Sequence, residues 1–87
     1  MKFLVINAER KLFEGVVFEA TLPGLDGEVT VLDDHEPMFL ALGKGLVRWR
    51  SRVQQTGAAQ SLLTNKPIMI RKGLARVRRN ELMILVE

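Results

Sequence analysis

Apolar and polar residues alternate along most of this chain, which is typical of β-strands that cover one side of a core. The alternation is most regular over residues 46–53, where apolar side chains and arginines point to opposite sides. The apolar set is Val47, Trp49 and Val53, and the arginines are Arg48, Arg50 and Arg52. We therefore expect Trp49 to be a core residue, facing away from the arginines.

The same pattern predicts eight or nine short strands and no helix. Residues 2–7 form a nearly continuous apolar run, typical of a strand covered on both faces. Further strands are expected at 12–13, 16–22, 28–32, 38–42 (a strand or one helical turn), 46–53, 67–70, 74–78 and 82–86. Turn residues recur every eight to twelve positions, which favours an all-β, antiparallel sandwich or barrel in a single domain covering residues 1–87.

Two finer predictions concern residues 16–24. Within residues 16–22 one side of the strand is expected to face the core, and it consists of Val16, Phe18, Ala20 and Leu22. Pro23 and Gly24 then follow in the order that a type II turn requires, so this strand is expected to end there.

Composition narrows the classes of protein that fit. The chain has no cysteine, which excludes disulfides and thiolate metal sites. No apolar run approaches the ~20 residues that cross a bilayer, and the N-terminal apolar stretch is too short for a signal peptide. These features predict a soluble, unexported protein.

Charge is divided unequally, since residues 1–43 carry a net −5 and residues 44–87 a net +8. Two differently charged surfaces, and so two partners, are expected.

Five carboxylates surround the single histidine between residues 22 and 37, and they are Asp26, Glu28, Asp33, Asp34 and Glu36. A metal-dependent enzyme centred on His35 is one interpretation, but transition-metal sites usually combine several histidines or a histidine with cysteine. Acid–base catalysis would need a pocket that shifts carboxylate pKa values, and the pattern does not predict one. The remaining interpretations are a solvated acidic loop and, as its functional version, an acidic docking surface, and we expect no catalytic residue, no metal and no cofactor.

The basic half supports a different hypothesis, a small β-barrel that binds single-stranded nucleic acid. Such barrels use cationic grooves and stacking aromatic residues. Arg48, Arg50 and Arg52 share one strand face, and Arg76 and Arg78 repeat the pattern. No aromatic platform accompanies them, because Trp49 points to the other side. A solvated cationic sheet face is therefore favoured, a protein-binding face comes second, and nucleic-acid binding remains the alternative hypothesis for function.

A series of motifs in this chain resembles the epsilon subunit of rotary F-type ATP synthases. The motifs are ERKLFEGVV (9–17), LPGLDGE (22–28), HEPM (35–38), LGKGLVR (42–48), KGLARV (72–77) and NELMIL (80–85). Each is weak alone, but together they span almost the whole chain in the order of the family. The chain differs from the family at Asp33 and Asp34, which replace Pro-Gly, and at Lys72, which replaces the first residue of a Gly-Gly pair.

The resemblance implies a ten-stranded β-sandwich at the foot of the central stalk. There it would bind the gamma subunit and the c-ring, turn with them, and couple ion flow to ATP synthesis without an active site. It would bind no nucleic acid and meet the membrane only through the complex, at the cytoplasmic face of the bacterial inner membrane. The pair of C-terminal helices of longer members is expected to be absent.

Matching positions in the family also suggest the contact residues. Acidic loops suit the c-ring, whose loops are typically basic in this family. The expected c-ring contacts are Asp26, Glu28, Asp34 and His35. The expected gamma-subunit contacts are Met38, Phe39, Leu42 and Arg76.

Overall fold

A computed structural model describes residues 1–51 and 66–87, and all regular secondary structure in these ranges is β-strand. The nine strands are β1 (Lys2–Ile6), β2 (Lys11–Val16), β3 (Glu19–Gly24), β4 (Gly27–Leu32), β5 (Met38–Leu42), β6 (Gly45–Arg50), β7 (Ile68–Ile70), β8 (Gly73–Arg78) and β9 (Glu81–Val86). The predicted all-β fold is confirmed, and residues 38–42 form a strand rather than a helical turn. The predictions for residues 52–65, including Arg52 and Val53, lie outside the described residues.

The strands form one curled sheet with two halves that face each other. One half has the order β2-β1-β9-β8-β5, and the other consists of β4, β3, β6 and β7. The halves join where Gly24 of β3 pairs with Leu42 of β5. Neighbouring strands run antiparallel except β1 and β9, which are parallel with Phe3 opposite Leu82. The sheet is therefore mixed.

The core lies between the two halves and is filled by one side of nearly every strand. Its fully buried apolar residues include Phe3, Val5, Ala20, Leu22, Val31, Val47, Ala75, Val77, Leu82 and Ile84. Trp49 is 6% exposed and packs at a tilt against Phe13 and Phe3, with ring centroids 4.6 and 5.3 Å away. The prediction that Trp49 is a core residue is confirmed, and Arg48 and Arg50 are exposed on the other side of β6.

The predicted single strand over residues 16–22 is wrong, because the chain passes there from one half of the sheet to the other. β2 ends at Val16 and β3 begins at Glu19. Val16 is 69% exposed, whereas Val17 is 1% exposed. The crossing shifts the alternation by one residue, so Ala20 and Leu22 face the core as predicted and Val16 does not. Phe18 is partly exposed, and the Arg50 guanidinium lies 5.8 Å from its ring centroid.

The predicted turn at Pro23 and Gly24 is also corrected, since β3 continues through both residues. Pro23 pairs with Glu28, and Gly24 pairs with Gly27. On the side away from β4, β3 pairs with β6 as far as Thr21 and with β5 at Gly24, so Pro23 lies at the change from one neighbour to the other, where its carbonyl accepts a hydrogen bond from the Gly43 amide at 2.8 Å. The chain reverses two residues later than predicted, and Gly27 ends the turn with a φ of 125°, which favours glycine.

Candidate partner-binding surfaces

The half-sheet β2-β1-β9-β8-β5 has an outer side that is rich in apolar residues. Strand register aligns them in rows, one of which runs from Phe39 to Arg76, Met83 and Leu4. The adjacent row runs through Ala41, Leu74, Leu85 and Ile6. We call this surface the apolar face, and it consists of Leu4, Ile6, Phe39, Ala41, Leu74, Met83 and Leu85, with Arg76 in the first row.

The apolar face is open to solvent in this chain. Phe39 is 70% exposed, and Leu74 and Leu85 are also exposed. β1 was predicted to be covered on both sides, but the described residues cover only the side of Phe3 and Val5, while Leu4 and Ile6 are partly exposed. Contiguous exposed apolar surface of this kind marks sites where proteins dock. The apolar composition of β1 is thus that of a strand whose outer side is covered by a binding partner.

The four expected gamma contacts fall on different sides of the sheet. Phe39 and Arg76 are directly opposite each other on the apolar face. Met38 is partly buried against the core, and Leu42 is 2% exposed within it. Because side chains alternate along β5, Leu42 faces the opposite way from Phe39. The Leu42 side chain therefore cannot reach a partner on the apolar face.

Sequence reasoning missed most of the apolar face. Leu74, Met83 and Leu85 were assigned to strands but not to a surface. The available signal was the continuous apolar composition of residues 2–7 and 82–86, which exceeds what a strand with one buried side needs.

The four expected c-ring contacts are divided between the two ends of β4. Asp26 and Glu28 lie at its start, and Asp34 and His35 follow its end. β4 is six residues long, so its two ends are about 20 Å apart, at roughly 3.3 Å per residue. The fold therefore presents two charged sites rather than one acidic cluster.

The fold also gives two acids, Glu28 of this set and Glu19 of β3, a cationic partner that is distant in the sequence. The Glu28 carboxylate accepts a hydrogen bond from Arg48 at 2.7 Å, and Arg50 lies 3.9 Å from Glu19. Carboxylates beside Arg48 and Arg50 reduce the cationic character of this side of β6. This arrangement counts against the hypothesis of a nucleic-acid binder.

The loop around His35 is organised by local backbone bonds. Asp34 has a φ of 66°, a conformation that aspartate tolerates better than most residues. The His35 amide donates to the Leu32 carbonyl at 3.2 Å, and His35 Nδ1 lies 2.8 Å from the Glu36 carbonyl oxygen. Asp33 accepts a hydrogen bond at 2.7 Å from the amino group of Met1. Within residues 1–51 and 66–87, no three or more histidine and carboxylate side chains converge as metal ligands would.

The fold and its surfaces define a class of protein, a small β-sandwich with an open apolar sheet side, typical of domains that dock within larger assemblies. In the part of the chain that the structure describes, no helix is long and apolar enough to span a membrane. A family model described as ATP synthase, Delta/Epsilon chain, beta-sandwich domain matches residues 1–87. The chain belongs to this family.

Named relatives agree with that assignment. The ATP synthase epsilon chain of the Thalassiosira pseudonana chloroplast is 34% identical over 86 residues, covering 99% of this chain and 57% of the relative. The ATP synthase epsilon chain of Rhodobacter capsulatus is 29% identical over 87 residues, covering all of this chain and 58% of the relative. This chain therefore spans somewhat more than half the length of these relatives.

Solved structures share the fold. The Tetrahymena thermophila mitochondrial ATP synthase structure of the central stalk and c-ring contains a chain that matches with a TM-score of 0.71 at 15% identity, covering 99% of this chain and 62% of that one. A chain in the Euglena gracilis mitochondrial ATP synthase structure matches with a TM-score of 0.74 at 18% identity, covering 97% and 48%.

Proposed function

We propose that this chain is a non-catalytic rotor subunit in the central stalk of an F-type ATP synthase. It docks the gamma subunit onto the c-ring and so couples ion translocation to ATP synthesis or hydrolysis. The observation that carries the proposal is the open apolar face on a domain whose family is that of the ATP synthase delta and epsilon chains. The partners are protein subunits, and contact with the membrane is made only through the complex.

The apolar face is the proposed gamma-subunit site. Its rows span four neighbouring strands, so a partner that covers it removes a continuous apolar surface from water. Such burial contributes about 25 cal/mol for each Å² of apolar surface. Interfaces that persist through a functional cycle are more apolar at their centre than the rest of a protein surface. Phe39 is the main anchor, because it is both large and exposed.

The two charged ends of β4 are the proposed c-ring sites. Asp26 and Asp34 are exposed, and the Glu28 carboxylate forms an ion pair with Arg48. Charge complementarity with basic loops would set the register of docking more than its affinity. Relatives occur in bacteria and in chloroplasts. A peripheral position at the cytoplasmic face of the bacterial inner membrane is part of the proposal.

Retention by purified partners tests the gamma-subunit site. The chain is immobilised and incubated at low salt with the gamma subunit and the c-ring of its own organism. Phe39→Asp is expected to reduce retention of the gamma subunit at least about tenfold, since a charge would be buried in an apolar interface. Met69→Asp is the matched control, because Met69 is an exposed apolar residue of β7, in the other half of the sheet. If the unmodified chain retains neither partner, the proposed function is wrong.

A further inference from the structure

Arg76 is the cationic residue in the middle of an otherwise apolar row. It lies on β8 between Phe39 of β5 and Met83 of β9. Its side chain is partly buried, and its Nε atom is buried without a hydrogen-bond partner among the described residues. Nη2 donates to the Met83 sulfur at 4.0 Å, and a thioether is a weak acceptor. The hydrogen-bonding capacity of this guanidinium is therefore largely unused within the described chain.

Several basic groups have carboxylate partners, whereas Arg76, although partly buried, has none among the described residues. Ion pairs among the described residues involve Arg48, Arg50, Lys11, Lys72 and the amino group of Met1. The acid in the same cross-strand row is Glu14, three strands away from Arg76, or about 14 Å at 4.8 Å per strand. Glu14 is itself bonded to Lys11 at 2.6 Å, and this contact lowers the Glu14 pKa.

A partner that covers the apolar face would remove water from the guanidinium. A buried charge without an acceptor destabilises a complex strongly, whereas a carboxylate can take two parallel N–H bonds from arginine. A backbone carbonyl would satisfy one donor but would leave the positive charge uncompensated. The chemistry of this site therefore calls for an acidic side chain.

We propose that the surface that docks on the apolar face presents a carboxylate to Arg76, and that this ion pair selects the partner. The proposal rests on the proposed function, in which that surface belongs to the gamma subunit. Apolar contacts from Phe39, Leu74 and Leu85 accept many apolar surfaces of similar shape. The buried charge rejects any that lack an acid at this position, and such rejection is a common source of specificity.

Affinity measurements with the purified gamma subunit test the pair. Arg76→Glu is expected to weaken binding about 100-fold or more, because two carboxylates would then face each other in a dry interface. Arg76→Met keeps an apolar stem and is expected to weaken binding at least about tenfold, since the partner's carboxylate is left unpaired. Arg78→Glu is the matched control on the same strand and the same side, where Arg78 is exposed and pairs in register with Glu81. It is expected to change the affinity less than about fivefold.

Charge reversal in the partner identifies the acid. Each acidic residue of the gamma subunit is changed to arginine and combined with Arg76→Glu, and one combination is expected to restore binding at least about tenfold. Equal effects of Arg76→Glu and Arg78→Glu, unchanged binding by Arg76→Met, or failure of every reversal would each overturn the ion pair. Failure of the unmodified chain to bind would instead contradict the proposed function. Thermal unfolding of each variant shows whether it is folded. If Arg76→Glu does not fold, the loss of affinity in Arg76→Met tests the ion pair.

Discussion

Gly73 shows how a single residue permits close strand pairing. It lies between Leu42 of β5 and Val86 of β9. A Cβ atom at this position would lie 2.6 Å from the Leu85 carbonyl oxygen, which is closer than atoms can pack without a backbone shift. Absence of a side chain is thus required for β8 to pair with β9 at this point.

Gly73→Ala is accordingly expected to lower the free energy of unfolding by about 1–3 kcal/mol, the usual cost of forced overpacking. Urea denaturation measures the change. Gly43→Ala is the control, because the nearest atom to a Cβ there is Leu25 Cδ2 at 3.1 Å, the end of an exposed side chain that can move. Equal losses in the two variants would contradict the steric explanation.

At the scale of elements, β4 decides how the acidic residues can meet a partner. It pairs with β3 alone and holds its two charged ends about 20 Å apart. A ring of identical subunits could contact both ends only if β4 lies along the ring surface. If one end makes the contact, substitutions at the other end will have little effect.

Coupling measurements on the assembled enzyme distinguish these arrangements. We expect Glu28→Lys with Asp34→Lys to reduce the ions pumped for each ATP hydrolysed, because both ends would then repel basic loops. Each single variant shows which end contributes. Glu9→Lys is the control, since Glu9 is exposed between β1 and β2, neither of which pairs with β4. Unchanged coupling in the double variant would exclude the acidic loops from docking while leaving the gamma-subunit site intact.

Local patterns predicted most elements because alternation depends on neighbouring residues alone. The alternation of Val47 and Trp49 with arginines correctly predicted β6, and that of Ala75 and Val77 correctly predicted β8. The strand over residues 16–22 was wrong because a crossing between half-sheets reverses which side is buried, and no residue type marks such a crossing. The Pro23 turn was wrong because a proline is also accepted within a strand where the strand changes neighbours, as β3 does between β6 and β5.

Surfaces were harder to predict than strands, because they depend on register between distant segments. Phe39, Arg76 and Met83 come from three strands, and alternation shows only the side on which each one lies. The ion pair between Glu28 and Arg48 likewise joins the acidic and basic parts of the sequence. Resemblance to the family suggested Phe39 and Arg76 as contact residues. Leu42 was suggested in the same way, but the pleat of β5 turns its side chain into the core.

For the whole molecule, binding and stability are linked through the apolar face. A partner that binds only the folded chain stabilises it by about 2.7 kcal/mol at a concentration 100 times Kd. In a domain of this size that shift raises the Tm on the order of 10 °C. Thermal unfolding of the chain with increasing gamma subunit is therefore expected to show a rising Tm, and Phe39→Asp is expected to abolish the rise. A Tm that does not depend on partner concentration would contradict docking at this face.

The parallel pairing of β1 with β9 has a consequence for how the chain is made. Phe3 is paired with Leu82, so β1 lacks one neighbour until β9, about 80 residues later in the chain, has been synthesised. At about 5–20 residues per second, that interval lasts roughly 4–16 s. During it the first strand presents an open edge on the ribosome, and the half-sheet that carries the apolar face cannot close. Folding of this domain is therefore expected to wait until β9 has been synthesised.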